Sequence, residues 1–298
     1  MIKRTLYFGN PAYLKTTNEQ LVIEMEHTGE TKSTPIEDIG LLILDHQQIT
    51  ITQAALAKLL YHNSAVITCD HTHHPTGMLL NLDGNSLQSQ KFRAQVEASI
   101  PLRKQLWQQT VVAKIVNQAA LLQQERADYK QMLIYARDVK SGDSDNHEAK
   151  AAAYYWKRVF PDFLEFRRER YGPPPNNLLN YGYAILRALV ARGLTSSGLL
   201  PTLGIHHRNQ YNAYCLADDI MEPYRPFVDK TVCAIIRSNG RFLDMTPSMK
   251  KALLEIPVMD VMIDRVKSPL MNAVQRTTAS LARCYEGTSR KIIYPRFC

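Results

Sequence analysis

The feature that most constrains this chain is a change of hydrophobic period around Asn81-Leu82-Asp83-Gly84-Asn85-Ser86. Before that turn-rich stretch, apolar residues come in short runs bounded by turn formers, the pattern of strands. After it they recur three and four apart over long segments, the pattern of amphipathic helices. The two periods need different layers, so the sequence predicts an α+β protein. A small N-terminal β-rich domain is expected over residues 1–83, and a larger, mainly α-helical domain over residues 84–298.

In the first part, Lys3–Phe8 and Gln20–Met25 read as strands, and Gly9-Asn10-Pro11 stops the first of them. Ile39–Leu44 (IGLLIL) is a continuous apolar run with the length of a buried strand. Helical spacing predicts one helix within Thr50–His62, after which Ala65–Cys69 resumes the sheet and Met78-Leu79-Leu80 closes it, in a sandwich-like arrangement. Beyond the boundary, helices are expected over Leu87–Glu97, Leu102–Arg126, Tyr129–Asp138, Glu148–Phe160 and Leu178–Arg192. Ser141–Asn146 offers natural N-caps for the helix that holds Glu148. Gly287–Cys298 reads as a basic, loosely structured tail.

Charge supplies the first functional clue. Of the chain's net +8, residues 1–85 carry −4 and residues 86–298 carry +12. That asymmetry points to nucleic acid or another polyanion as the partner of the second part, although a merely basic surface has the same signature. With 45% apolar residues the 298-residue chain can bury a core, which excludes a wholly disordered protein. Five scattered cysteines without close pairing indicate a reducing compartment. No apolar run approaches the ~18 residues of a membrane span, and Met1-Ile2-Lys3-Arg4 leads straight into a strand rather than a signal peptide. A cytoplasmic protein is expected.

Neither a phosphate-cradling GxxxxGK[ST] loop nor a GxSxG nucleophile elbow is present, which removes the commonest nucleotide-dependent and serine-hydrolase readings. Three polar stretches remain. Glu148 opens HEAKAAAYYWKRVF, where Ala149, Ala152 and Ala153 leave one face small. Alone, it is also what a first-turn carboxylate satisfied by the helix dipole looks like. Gly204 permits a tight turn before His206 and His207, and Asp219 and Glu222 share a helix face three residues apart, where Glu222 is also in reach of Arg225. Two carboxylates and an imidazole brought together would form a hard, oxygen-rich site suited to Mg²⁺ or Mn²⁺, able to polarise a phosphodiester.

The stretches HEAKAAAYYWKRVF, NNLLNYGYAILRALV, GIHHRNQYN and LADDIMEPYRP, in this order, resemble the universal CRISPR-associated integrase family, the metal-dependent DNA endonucleases of spacer acquisition. The resemblance covers nearly the whole chain, includes the Asp70…Pro75-Thr76-Gly77 turn, and is nearest to the form that accompanies type II systems. It implies that the helical part is a metal-binding catalytic domain, with Glu148, His207 and Glu222 as metal ligands and Asp219 and His206 as supporting residues. The implied reaction is attack of a DNA 3′-hydroxyl on a phosphodiester at the end of a CRISPR array. The implied partners are double-stranded DNA as spacer precursor and repeat array, a second copy of the chain through the β-rich domain, and a small ferredoxin-like adaptation subunit. The type II effector nuclease is a further candidate partner.

For the DNA itself, the basic run offers Lys157, Arg158, Arg167, Arg168 and Arg170, with Arg208 and Arg225 beside the ligands. Some of these would instead pair with Asp162, Glu165 or Glu169. Tyr154, Tyr155 and Trp156 could stack on a splayed base, although at helical spacing most of them belong to the core. Asp70-His71-Thr72-His73-His74 has metal-ligand residue types but reads as a surface turn. The same residues would also permit a structure-selective repair nuclease acting on branched DNA, or a non-catalytic DNA-binding scaffold.

Overall fold

Ile39–Leu44 organises the N-terminal half because both of its faces are buried. A computed structural model of the chain describes residues 3–25, 28–161, 163, 166–240 and 242–298. Its first strands are β1 (Arg4–Phe8), β2 (Ala12–Thr17), β3 (Gln20–Met25), β4 (Thr31–Pro35), β5 (Ile39–Leu44) and β6 (Thr50–Ile51). Helix α1 (Gln53–Tyr61), capped by the Thr52 hydroxyl, leads to β7 (Ala65–Cys69) and β8 (Pro75–Leu79). They form two four-stranded sheets, ordered β1-β5-β7-β8 and β4-β3-β2-β6. In the first, β1, β5 and β7 run parallel and β8 antiparallel. Leu42 and Val66 point into the core shared with the second sheet and α1, whereas Leu41, Ile43, Ala65 and Ile67 join the core of the helical part. A strand buried on both faces has no polar alternation to show, which is why this one reads as an unbroken apolar run.

The helical part comprises α2 (Gln88–Val96), α3 (Ile100–Gln124), α4 (Lys130–Asp138), α5 (His147–Val159), α6 (Asn176–Ser196), α7 (Cys215–Met221), α8 (Arg225–Asn239), α9 (Pro247–Leu254) and α10 (Leu270–Tyr285). Ser99 caps α3, with Pro101 in its first turn. The most deeply buried helix is α6, enclosed by α7, α8, α9, α10 and the first sheet. The expected α+β class is present. Three strands escaped the sequence reading: β2 and β4 are largely polar, and pairing with β3 rather than their own composition makes them strands, while the two-residue β6 occupies the start of the segment expected as a helix. A hairpin of β9 (Asp260–Ile263) and β10 (Val266–Pro269) was also missed, because its two-residue turn uses Asp264 and Arg265 at positive φ instead of a glycine pair.

The tail departs from expectation too. Ile292 is buried, Tyr294 bonds Thr110 of α3 (2.8 Å), and Arg296 bridges Met262 through backbone hydrogen bonds of 2.8 and 2.9 Å. Residues after α10 are therefore anchored along the helical core, not loose: Ile292, Ile293, Tyr294 and Phe297 pack against it. Among the described residues no helix is long and apolar enough to cross a membrane.

Both halves meet at Asp45, at the end of β5. Its buried carboxylate accepts from Tyr7, faces His73 Nδ1 (2.9 Å) and pairs with Lys250 of α9 (3.0 Å). His73, in the turn read as a surface feature, is thus turned toward a buried acid. Arg192 of α6 donates to the Asn63 carbonyl across the same junction (2.5 Å).

Close approach of α6 to α8 depends on Gly182, where an added Cβ would lie 2.5 Å from Val228 Cγ1. Gly182→Ala should destabilise the protein by ~1–3 kcal/mol, since neither backbone can withdraw from a packed core. Thermal unfolding measures it; an unchanged midpoint would show that these helices do not touch there.

Candidate active site

Helix α5 begins where Asp143 satisfies its first turn. The Asp143 carboxylate accepts from the backbone N–H groups of His147 and Glu148, each at 2.9 Å. This frees the Glu148 side chain from a capping role and directs it inward. The buried stripe of α5 is Ala151, Tyr155 and Val159; Ala149 and Ala153, expected on the close-approach face, are exposed. The aromatic trio is engaged within the fold. Tyr155 is fully buried, Trp156 packs on Phe160 and Phe166, and Tyr154 bonds Asp128 (2.7 Å) beneath Arg158.

Glu148 and Glu222 converge on one ammonium group. Lys114 of α3 donates to Glu148 Oε1 at 2.7 Å, and its Nζ lies 2.6 Å from Glu222 Oε2. One ammonium group is thus shared between the two carboxylates. Burial disfavours a charged lysine, but the Glu222 and Glu148 charges more than compensate and hold Lys114 protonated above its ordinary range. Sequence reasoning missed this residue. Its signal was there: Lys114 interrupts the buried stripe Trp107–Val111–Gln118–Leu122 of α3, and a lysine inside an apolar stripe needs buried partners.

Glu222 follows directly on α7 and is fixed from its other side by Arg225, whose Nε donates to Oε1 at 2.8 Å. Burial alone would raise the Glu222 carboxyl, yet Arg225 and Lys114 overcome it and hold the group down at about 2. Arg225 is in turn stacked over Tyr183, 4.6 Å from the ring centroid. Tyr183 and Tyr155 both donate to the buried Asp229 (2.5 and 2.6 Å), tying α5, α6 and α8 together behind the carboxylates.

The two histidines are told apart by their surroundings. An added Cβ at Gly204 would lie 2.3 Å from the His207 carbonyl oxygen, so only glycine allows this turn to close. Asp219, fully buried, accepts from the His206 backbone N–H (2.9 Å) and faces His207 Nδ1 (2.5 Å). His206 lies flat on Trp107, ring centroids 4.3 Å apart, and is used in packing. His207 is left with Nε2 for a ligand. Its hydrogen bond to Asp219 raises its affinity for a proton against the effect of burial, helped by the charges of Asp219, Glu222 and Glu148.

Among the described residues no three acidic, histidine or cysteine side chains close into a metal-ligand set. The donor types nonetheless fit a hard divalent ion, with two carboxylates already gathered about one cation and the His207 Nε2 not engaged by Asp219. Of the expected DNA-facing cations, Lys157, Arg167, Arg170 and Arg208 are exposed. Arg225 is committed to Glu222. Arg168 is committed to Asn176 (3.0 Å) and Asn180 (2.7 Å), holding the segment before α6. Asp162 and Glu165, their alternative partners, lie outside the described residues.

Asp229 makes the site's scaffold pH-sensitive. Burial raises its carboxyl to about 6, despite the two tyrosine hydrogen bonds and the nearby Arg225 and Arg168. An unfolded aspartate titrates near ~3.9, so between the two values the folded protein holds a proton the unfolded chain lacks. The stabilisation from this group is therefore present at about pH 4 and is lost as pH rises through 6, an effect on the order of 2–3 kcal/mol. Unfolding midpoints measured from pH 4 to 7 should show Asp229→Asn gaining on the native protein as pH rises; parallel curves would remove Asp229 as the cause.

The family described as "CRISPR associated protein Cas1" matches residues 6–255. The CRISPR-associated endonuclease Cas1 of Neisseria meningitidis serogroup C (strain 8013) is 36% identical over 282 residues, covering 94% of this chain and 91% of that protein. A second relative, CRISPR-associated endonuclease Cas1 2 of Saccharolobus solfataricus, is 26% identical over 244 residues, 77% of this chain and 74% of that one. Among solved structures, a casposase bound to integration product superposes with a TM-score of 0.80 at 21% identity, covering 98% of this chain and 92% of the casposase. A Cas1 protein from Thermotoga maritima gives 0.78 at 16% identity, over 95% of this chain and 97% of that chain. These two likenesses speak for the fold, whereas the family match and the Neisseria relative span nearly all of the sequence; on those grounds the chain belongs to the Cas1 family.

Proposed function

We propose that this protein is a metal-dependent DNA endonuclease and integrase that joins foreign DNA fragments to a CRISPR array. The observation that carries the reading is the gathering of Glu148 and Glu222, from two separate elements, about the single Lys114 ammonium (2.7 and 2.6 Å). Glu148 and Glu222 would hold Mg²⁺ or Mn²⁺ together with His207 Nε2. Bound there, the ion would supply charge stabilisation at the transferring phosphoryl group.

The chain's own residues provide the rest. Arg225 keeps Glu222 ionised and aimed, and Asp219 holds the His207 ring through Nδ1, which would leave Nε2 for the ion. The exposed cations Lys157, Arg167, Arg170 and Arg208 would neutralise phosphates without reading sequence. In the joining step the 3′-hydroxyl oxygen of the incoming strand forms a new bond to phosphorus. The bond to the resident strand's 3′ oxygen breaks, and the hydroxyl proton ends on that leaving oxygen. One phosphodiester replaces another, so no external energy source is needed.

Relatives support the partners as well. The casposase structure holds an integration product, and a Cas6-RT-Cas1–Cas2 complex has a chain that superposes with a TM-score of 0.75 at 20% identity, over 98% of this chain and 36% of that one. On these grounds we assign DNA and a small Cas2-type subunit as its partners; from the motif resemblance we add double-stranded DNA as the form, a ferredoxin-like fold for the subunit, a second copy of this chain and a cytoplasmic setting. The motif resemblance and the Neisseria relative favour the type II-associated form.

The test combines purified protein and its small partner with a duplex bearing free 3′ ends and a supercoiled repeat plasmid. Joining at the repeat boundary is expected in Mg²⁺ or Mn²⁺ and none in EDTA. Branch cleavage without joining would favour a repair nuclease, and binding without chemistry would leave a scaffold. Glu148→Gln should reduce joining by ~10²-fold or more while duplex affinity stays near native, because phosphate contacts dominate binding. Arg208→Ala should weaken duplex binding and lower its salt slope by ~1. Arg168→Ala should instead lower the unfolding midpoint, which separates the exposed cations from the structural ones.

A further inference from the structure

We propose that Lys114 is the site's built-in exchangeable cation: its ammonium occupies the divalent-ion position in the ion-free protein and must be displaced for the ion to enter. This rests on the metal-dependent reading above. Two carboxylates brought together in the interior cannot both stay ionised without a counter-charge, and Lys114 is the cation that contacts both (2.7 Å to Glu148, 2.6 Å to Glu222). Glu222 also has Arg225, whereas Glu148 has no other ion-pair partner among the described residues.

The fit of the ammonium is that of a place-holder. It lies 2.7 Å from Glu148 Oε1 and 2.6 Å from Glu222 Oε2, a single positive charge shared between two carboxylates. A divalent ion carries twice that charge and would match both carboxylates, which one ammonium offsets only in part. Lys114 is also the partner able to leave. A lysine is a compact charge on a flexible four-carbon stem. The Arg225 guanidinium is pinned by Glu222 on one side and the Tyr183 ring on the other. Displacement would free one positive charge beside the scissile phosphate, placing Lys114 as an electrostatic contributor to joining once the ion has entered.

The inference is tested by direct ion binding, apart from activity. Mn²⁺ affinity of the full chain is measured by titration calorimetry and by loss of the free-ion electron paramagnetic resonance signal, with unfolding midpoints taken with and without Mn²⁺. Lys114→Met removes the charge and keeps the stem. It should bind Mn²⁺ about tenfold or more tightly than the native protein, with a lowered ion-free midpoint that Mn²⁺ restores. Lys114→Arg keeps a charge that cannot be neutralised, and should keep a near-native ion-free midpoint with affinity no tighter than native. If Lys114→Met proves too unstable to purify without the ion, Lys114→Gln replaces it in the same measurement.

Equal or weaker Mn²⁺ binding in the Lys114→Met and Lys114→Gln proteins, with native binding intact, would overturn the exchange while leaving the metal-dependent reading standing. Absence of Mn²⁺ binding in native and variant proteins alike would overturn both.

Discussion

The active region depends on one electrostatic problem, which is how to hold two ionised carboxylates together inside a protein. Glu222 is buried and Glu148 half-buried, and each brings a charge that the interior resists. The chain meets this with Lys114 between the two and Arg225 on the outer side of Glu222. Removing either cation would leave a carboxylate to take up a proton, since that costs less than keeping an unpaired charge out of water. Such an arrangement has little value as a source of stability.

The surrounding structure follows from holding those groups still. Lys114 comes from the long α3, Glu148 from the first turn of α5, Glu222 from the end of α7, and the His207 turn from the segment before α7. Each is steadied by a separate buried interaction: Asp143 under the start of α5, Asp219 under the histidine turn, and Asp229 with Tyr155 and Tyr183 behind Arg225. Anchoring the C-terminal residues along α3 adds a further restraint, because Tyr294 and Ile292 bond Thr110 and Gln109, within two turns of Lys114. The doubly buried strands β5 and β7 make the β-rich part continuous with this core.

Much of the fold was legible residue by residue. Ile39–Leu44 and Ala65–Cys69 are strands over the spans their apolar runs marked, and the long helical periods fall on α2 to α6. The polar strands β2 and β4, the β9–β10 turn and the anchored tail were not legible: the two strands are made by pairing with β3, the turn uses Asp264 and Arg265 instead of a glycine pair, and the tail is held by packing on distant α3. At the site, the position of the acids within their motifs was readable. The partnerships were not: Lys114 is 34 residues from Glu148, and Asp229 is 74 residues from Tyr155.

By itself the sequence determined the secondary-structure periods, the charge asymmetry that singles out the helical part, and the motif order that marks the family, since all of these are local or additive. Tertiary structure alone decided which charges meet. It turned Arg225 and Arg168 inward while leaving Arg208 in solvent, it laid His206 on Trp107 and freed His207, and it seated a lysine between two glutamates. Pairing of buried charges depends on distances between helices that no local pattern encodes, because the cost of an unpaired charge exists only once the core has closed around it.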